Sequence, residues 1–324
     1  MAILVTGATG FIGAHICRRL LRQGERVVGL DPMPSNVWEE VLTEDERAEI
    51  ALVRGDVGSF RDVCSAIKEY GIDRVIHLAS LLNPASDENP HLAIRVNISG
   101  HANVLEAARI LGIKKVVWAS SVVVFGPRSR HGALPLANDA PHFPNNNYAA
   151  SKSYCEHLSE LYRTRFGVDA TGLRLTLVYG PGRVRGATAF VNELIQKPAL
   201  GQPADVPFGD DVVDWQYVED VARLFVTCLA AGKTKENAYN TRFDIRSIRE
   251  AGDFVRSLLP EAAIAYRPGA TGLPWELDDS CLQRDIGFEP EYSMERGVLA
   301  VMNHVRAKHG LPPLAPPPSA PGGR

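Results

Sequence analysis

The sequence is short of the features that mark several functional classes. Its 324 residues hold five cysteines, at positions 17, 64, 155, 228 and 281, with no Cys-x-x-Cys pair among them. An odd number of scattered thiols offers neither a zinc site nor a disulfide framework, so no metal is expected and a reducing compartment fits. Cys155 is read as a small buried residue rather than a nucleophile. No apolar run reaches the ~20 residues that span a bilayer. Residues 2–5 are apolar, but no basic segment precedes them and glycine soon interrupts them, unlike a signal peptide. The formal net charge is only −3 and no basic block occurs, which argues against nucleic acid and anionic membrane as partners. What is left is the expectation of a cytoplasmic, soluble protein that handles a small molecule.

At 45% hydrophobic and 23% charged residues, the composition is that of an ordinary globular chain. The length suits one large α/β domain or two lobes sharing a core. Ala2–Val5 reads as a buried strand that ends in Thr6-Gly7-Ala8-Thr9-Gly10-Phe11-Ile12-Gly13. A helical pattern follows over Ala14–Gln23, with Ile16, Leu20 and Leu21 on one side and Arg18, Arg19 and Arg22 on the other. Strand, glycine turn and helix in this order form a dinucleotide cradle. Gly7 permits the tight turn, Gly10 lets backbone approach a pyrophosphate, and Gly13 allows close helix–sheet packing at a helix N-terminus that attracts phosphate.

A second strand, Arg26–Leu30, delivers Asp31, which can accept hydrogen bonds from ribose hydroxyls and would repel a 2′-phosphate. NAD is therefore favoured over NADP. Ala51–Arg54 reads as a third strand with Gly55-Asp56-Val57 at its exit, where the adenine edge would be met. Arg74–Leu78 is a buried strand followed by Ala79 and Ser80. His77 is read as a packed core residue without chemistry. His91–Leu111 reads as one long helix with Asn97 partway along it, and Lys114–Ala119 as a strand opening into Ser120-Ser121. Strand ends of this kind face the ligand crevice of a parallel sheet, so a serine there could hydrogen-bond a reacting oxygen.

Tyr148-Ala-Ala-Ser-Lys152 then places a phenol and an ammonium four residues apart on one helix face. The lysine charge is expected to lower the tyrosine pKa from about 10, suiting it to take a proton from a substrate hydroxyl. Thr171–Tyr179 reads as one strand broken by Gly180-Pro181-Gly182. Helices are expected near Thr188–Ile195, Tyr217–Ala231, Ile248–Leu259 and Met294–Lys308. Gly310–Arg324 carries six prolines and reads as a mobile tail. Alternating β and α units over the first 175 residues argue for an α/β fold with a doubly wound parallel sheet.

With these motifs in order, the chain resembles the extended short-chain dehydrogenase/reductase family, the NAD-dependent epimerase/dehydratases, over about residues 1–305. The glycine segment, Asp31, Gly55-Asp56-Val57, His77-Leu78-Ala79, Ser120-Ser121, Tyr148–Lys152, Tyr179-Gly180-Pro181 and Val218-Glu219-Asp220-Val221-Ala222 carry the likeness. The resemblance implies a Rossmann domain over 1–176 plus roughly 214–240. It also implies a smaller C-terminal α/β substrate lobe over roughly 177–213 and 241–310, with 311–324 as the tail. It implies Tyr148 as acid/base and Ser121 polarising the substrate oxygen. Lys152 would bind the nicotinamide ribose and depress the tyrosine pKa. Gly7, Gly10, Phe11, Ile12, Gly13, Asp31, Asp56, Val57, Leu78, Ala79 and Ser80 would hold NAD together with Tyr148 and Lys152. It further implies a homodimer through His91–Leu111 and Tyr148–Arg165.

Departures from the family bear on the substrate. Sugar-nucleotide members commonly have an asparagine where Leu177 stands and an arginine where Val213 stands, both gripping the diphosphate. Dehydratases place Asp-Glu where Val122-Val123 stand. Arg183, Arg185 and Arg267 read first as surface charges, though each could supply another anion grip. The sequence therefore points to an NAD-dependent dehydrogenase or ketone reductase acting on a secondary alcohol that is not a nucleotide sugar. A small hydroxy acid, an aldonate-like polyol or an aromatic alcohol would each fit. A nucleotide-sugar 4-epimerase with tightly held NAD is the alternative. A non-catalytic dinucleotide-binding sensor is the third reading, disfavoured because Ser121, Tyr148 and Lys152 are all present.

Overall fold

The computed structural model describes residues 1–186 and 188–316. Its strands are β1 (Ala2–Thr6), β2 (Arg26–Asp31), β3 (Ala51–Arg54), β4 (Ile72–His77), β5 (Lys115–Ser121), β6 (Ala170–Leu175), β7 (Leu177–Tyr179), β8 (Ala204–Pro207), β9 (Val212–Tyr217), β10 (Ala238–Asn240), β11 (Asp244–Ser247) and β12 (Ile264–Arg267). Seven of them form one sheet in the order β10-β6-β5-β4-β1-β2-β3, every pair parallel. Strand order reverses between β1 and β4. The carboxyl ends of those strands flank a crevice, the usual place for a ligand in a doubly wound sheet.

Alternation along β1 accounts for the two layers. Ile3 and Val5 enter one apolar cluster, Ala2 and Leu4 another, because successive strand residues face opposite sides of the sheet. All five β1 residues are buried, as expected of a central parallel strand covered on both faces. Helices Phe60–Tyr70 and Gly100–Leu111 pack together on one face, and helices Phe11–Arg22 and Val218–Ala230 on the other. Helix Phe11–Arg22 buries Ala14, Ile16, Cys17 and Leu20 and carries Arg19 and Arg22 in its last turn, where positive charge complements the helix dipole.

Three expectations about elements change. The single strand over Thr171–Tyr179 is two strands in two sheets. β6 pairs with β5, whereas β7 pairs with β9, and β9 pairs antiparallel with β11. Thr176 makes the break, donating its hydroxyl to Asp214 and its amide to Gln216. Farther along, β9 lies in this second sheet while β10 extends the main one. The long helix near His91–Leu111 contains a widened π turn over Ile94–Ser99. Helix Met294–Lys308 matches its expected bounds. One buried cluster runs from Ile3 and Val5 through Trp215 to Val298 and Met302 of that last helix, so the small sheets share a core with the large one. The expected mobile tail is in part docked: Leu314 exchanges two hydrogen bonds with Asn303, and Arg306 donates to Pro312 O. Residues 317–324 of that tail lie outside the described residues. Among the described residues no helix is long and apolar enough to cross a membrane.

Candidate active site

The glycine turn comes first, because β1 delivers it to the crevice. Gly7 adopts φ +67°, and a Cβ there would stand 2.9 Å from Ala79 N. A Cβ on Gly13 would lie 2.2 Å from Gly7 O and 2.8 Å from Ala8 O, all rigid backbone. The turn is therefore closed against side chains. Helix Phe11–Arg22 starts after Gly10, whose position offers no capping side chain and whose first turn has no acidic residue. Its free N–H groups and dipole suit a phosphate. Asp31 closes the cradle from the end of β2, accepting a hydrogen bond from Thr9 N at 3.1 Å. This chemistry fits a dinucleotide: backbone donors for the pyrophosphate and a carboxylate for the ribose.

The other candidate cofactor residues converge on the same edge. Leu78 and Ala79 follow β4, and their amides donate to Thr6 Oγ1. Ser80 donates to Asn97 Oδ1, and Asn97 also binds both backbone groups of Leu81 and donates to Ser151 Oγ. Asn97 thus ties the loop after β4 to the Tyr148 helix, a role the sequence hinted at only by placing an asparagine in an apolar helix. Phe11 and Ile12 pack partly buried against the core. Asp56 pairs with Arg95 at 2.9 Å. Val57 turns its side chain into the core beneath Gly100, leaving only its backbone for a ligand.

The helix Asn147–Phe166 brings Tyr148 and Lys152 to β5, capped by Asn146, whose side chain accepts from Ala149 N. Lys152 Nζ donates to Ala119 O at 2.7 Å and lies 5.6 Å from the Tyr148 ring centre. Here the expected electrostatics need correction. Burial pushes the Tyr148 phenol up to about 12; a hydrogen bond with Ser121 and the Arg183 charge pull it down, and Lys152 is not among the dominant influences. Burial also lowers Lys152 itself, to about 8. Its ammonium is occupied by a backbone carbonyl in an apolar, imidazole-lined niche where His77 and His101 are themselves held neutral by burial. Cys155, on the same helix, donates to Asn97 O, and burial raises its thiol to about 12, the behaviour of an inert core thiol.

The two serines part company. Ser121 is the one beside the phenol; Ser120, facing the other way, donates to Glu156 Oε1 at 2.6 Å. Of the three arginines, only Arg183 belongs to the site. It follows the Gly180-Pro181-Gly182 turn, lies 5.8 Å from the Phe11 ring, and hydrogen-bonds Val178 O and Thr188 Oγ1. Its Nε is buried without an acceptor among the described residues, and burial lowers the guanidinium to about 10. Arg185 is exposed, and Arg267 is exposed on β12 beside Asp205. Leu177 and Val213 are both fully buried in the core, so neither lines the crevice.

The profile of the NAD dependent epimerase/dehydratase family matches residues 3–241. The UDP-glucose 4-epimerase of Mycolicibacterium smegmatis is 30% identical over 327 residues, covering 95% of this chain and 99% of that protein. The UDP-glucuronate 4-epimerase of Thermodesulfobacterium geofontis is 30% identical over 315 residues, covering 93% and 94%. Among solved structures, a UDP-glucose 4-epimerase of Thermus thermophilus in complex with NAD superposes with a TM-score of 0.80 at 27% identity, over 94% of this chain and 99% of that one. An L-threonine dehydrogenase of Phytophthora infestans reaches 0.82 at 24% identity, over 95% and 100%, a likeness of fold. Motifs, sheet order and matched length together lead to one conclusion: the chain belongs to the NAD dependent epimerase/dehydratase family of NAD-dependent oxidoreductases and epimerases.

Proposed function

We propose that the protein is an NAD-dependent dehydrogenase or ketone reductase whose substrate is a secondary alcohol carrying a small anionic group, such as a hydroxy acid, and not a nucleotide sugar. The observation that carries this reading is the crevice end of β5 to β7. A half-buried phenol lies there beside a serine hydroxyl and a half-buried arginine with no carboxylate partner among the described residues, while Leu177 and Val213 are sealed in the core. A partly buried guanidinium whose Nε lacks an acceptor among the described residues carries a desolvation cost, and an anionic substrate would offset it. NAD, when bound, supplies the hydride acceptor. Tyr148 takes the proton of the substrate hydroxyl, Ser121 holds the oxygen as its charge changes, and Arg183 orients the anionic end. Gly7, Gly10 and Gly13 admit the pyrophosphate to backbone N–H groups, Asp31 selects the unphosphorylated ribose, and Lys152 holds the nicotinamide ribose.

A competing reading is UDP-sugar 4-epimerisation, favoured by the names of the full-length relatives at 30% identity. Coenzyme turnover separates the two. Purified enzyme with NAD and a panel of hydroxy acids and secondary alcohols is followed at the NADH absorbance band; stoichiometric NADH supports the dehydrogenase. Interconversion of UDP-glucose and UDP-galactose without net NADH, and no alcohol oxidised, would replace it with the epimerase. We further propose a cytoplasmic homodimer. Ile94 and Ile110 on one helix and Tyr154, Leu161 and Phe166 on the other are apolar and exposed, on the two helices the family uses for pairing.

A further inference from the structure

Two consecutive residues of β5 are tied to two turns of the helix behind it: Ala119 O accepts from Lys152, and Ser120 donates to Glu156. The next residue, Ser121, accepts from Val123 N at 3.4 Å and stands near enough to Tyr148 for its hydroxyl to lower the phenol's pKa. The Ser120 tie is the better anchored. Glu156 is buried, one helical turn beyond Lys152, and its two oxygens are gripped by Arg174, with Nε donating to Oε1 at 2.9 Å and Nη2 to Oε2 at 2.8 Å. Arg174 is itself buried, stands opposite Ser120 in the β5–β6 register, and stacks 4.9 Å from the Phe125 ring. Its remaining nitrogen donates to Asn138 O and Asn240 Oδ1, fixing the guanidinium from the far side. Consecutive strand residues point to opposite sides, so the orientation of Ser120 dictates that of Ser121.

We propose that Glu156, clamped by Arg174, is a positioning residue: by holding the Ser120 hydroxyl it sets the distance between Ser121 and Tyr148. It touches neither substrate nor cofactor. The inference rests on the reading of Tyr148 as acid/base and of Ser121 as its hydroxyl partner. Buried ion pairs are seldom kept for stability, since apolar residues of similar volume do as well or better. A site that must hold two hydroxyls within a hydrogen bond's reach has a use for such directional restraint, because small misplacements of reacting groups are expensive in rate.

Ser120→Ala leaves the ion pair intact and removes only its tie to the strand, so it reads the proposal even where Glu156→Gln does not fold. Turnover is followed with the hydroxy acid that the NAD panel identifies or, if it identifies none, with UDP-glucose. The expected result for Ser120→Ala is a roughly 10-fold or greater fall in kcat with KM for NAD unchanged. The pH profile of kcat should also move upward by about half a unit or more, because a displaced Ser121 hydroxyl lowers the Tyr148 pKa less. Glu156→Gln, if folded, should show the same shift, and Glu156→Asp should recover part of the loss. A variant that binds NAD but keeps the wild-type kcat and pH profile overturns the proposal, as does a fall in kcat with an unmoved profile. Tyr148→Phe keeps the two levels apart. If it retains full activity, the acid/base reading itself fails; if it is inactive while Ser120→Ala behaves as wild type, only the clamp fails.

Discussion

Gly13→Ala is the substitution whose outcome the structure specifies most sharply. The added methyl would sit 2.2 Å from Gly7 O, 2.8 Å from Ala8 O and 2.9 Å from Ala8 Cα. Ordinary carbon–oxygen contacts need roughly an ångström more, and none of the three atoms belongs to a side chain that can rotate away. Helix Phe11–Arg22 must therefore slide off the turn that it caps. Overpacking of this kind costs about 1–3 kcal/mol. The same slide pulls the helix N-terminus from the place where phosphate would meet it, so NAD affinity should fall at least tenfold, about 1.4 kcal/mol. Gly112→Ala is the control. Its φ of +70° makes any side chain unfavourable, but nothing lies within 4 Å, so it should cost about 1–2 kcal/mol of stability and leave NAD binding intact. Urea unfolding and calorimetric titration with NAD measure both quantities. Wild-type NAD affinity in Gly13→Ala would refute the close-packed turn as the cofactor cradle.

Other outcomes follow from the same site. Asp31→Ala should weaken NAD more than NADP in paired titrations; an equal loss of both would remove Asp31 from coenzyme choice. Tyr148 must be ionised to accept a proton, and burial holds it high, at about 12 in the free protein. Alcohol oxidation should therefore accelerate as pH rises through the neutral and alkaline range, and Ser121→Ala should displace that rise to still higher pH. A rate that is flat from neutrality upward, or an Ser121→Ala profile moved downward, would contradict this assignment. Arg183→Gln should raise KM for an acidic substrate at least tenfold while leaving KM for NAD unchanged, and should abolish the preference for the acid over its amide.

Much of the site was legible because it is local in sequence. The glycine turn needs only a strand, three glycines and a helix, and the Tyr148–Lys152 face needs only helical spacing. What was not legible depends on chain brought from a distance. Nothing near Tyr148 reveals that the charge acting on it comes from Arg183, beyond β7, or that Lys152 is occupied by Ala119 O. The strand pattern alone does not separate Ser120 from Ser121; the family resemblance chose Ser121, and the physical reason is Glu156, the distant partner of Ser120. The break between β6 and β7 rests on Thr176 meeting Asp214, 38 residues apart, and no local propensity marks it. The π turn around Asn97 is similar, since its asparagine serves a loop after another strand.

Tyr148→Phe tests the central claim most directly. The substitution removes one oxygen and leaves the ring, so NAD titration should give a near wild-type affinity. Turnover should drop by about 10²–10⁴-fold, the usual contribution of a positioned acid/base. Undiminished turnover in a variant that binds NAD normally would mean that the proton goes elsewhere, and the account of this site would be wrong.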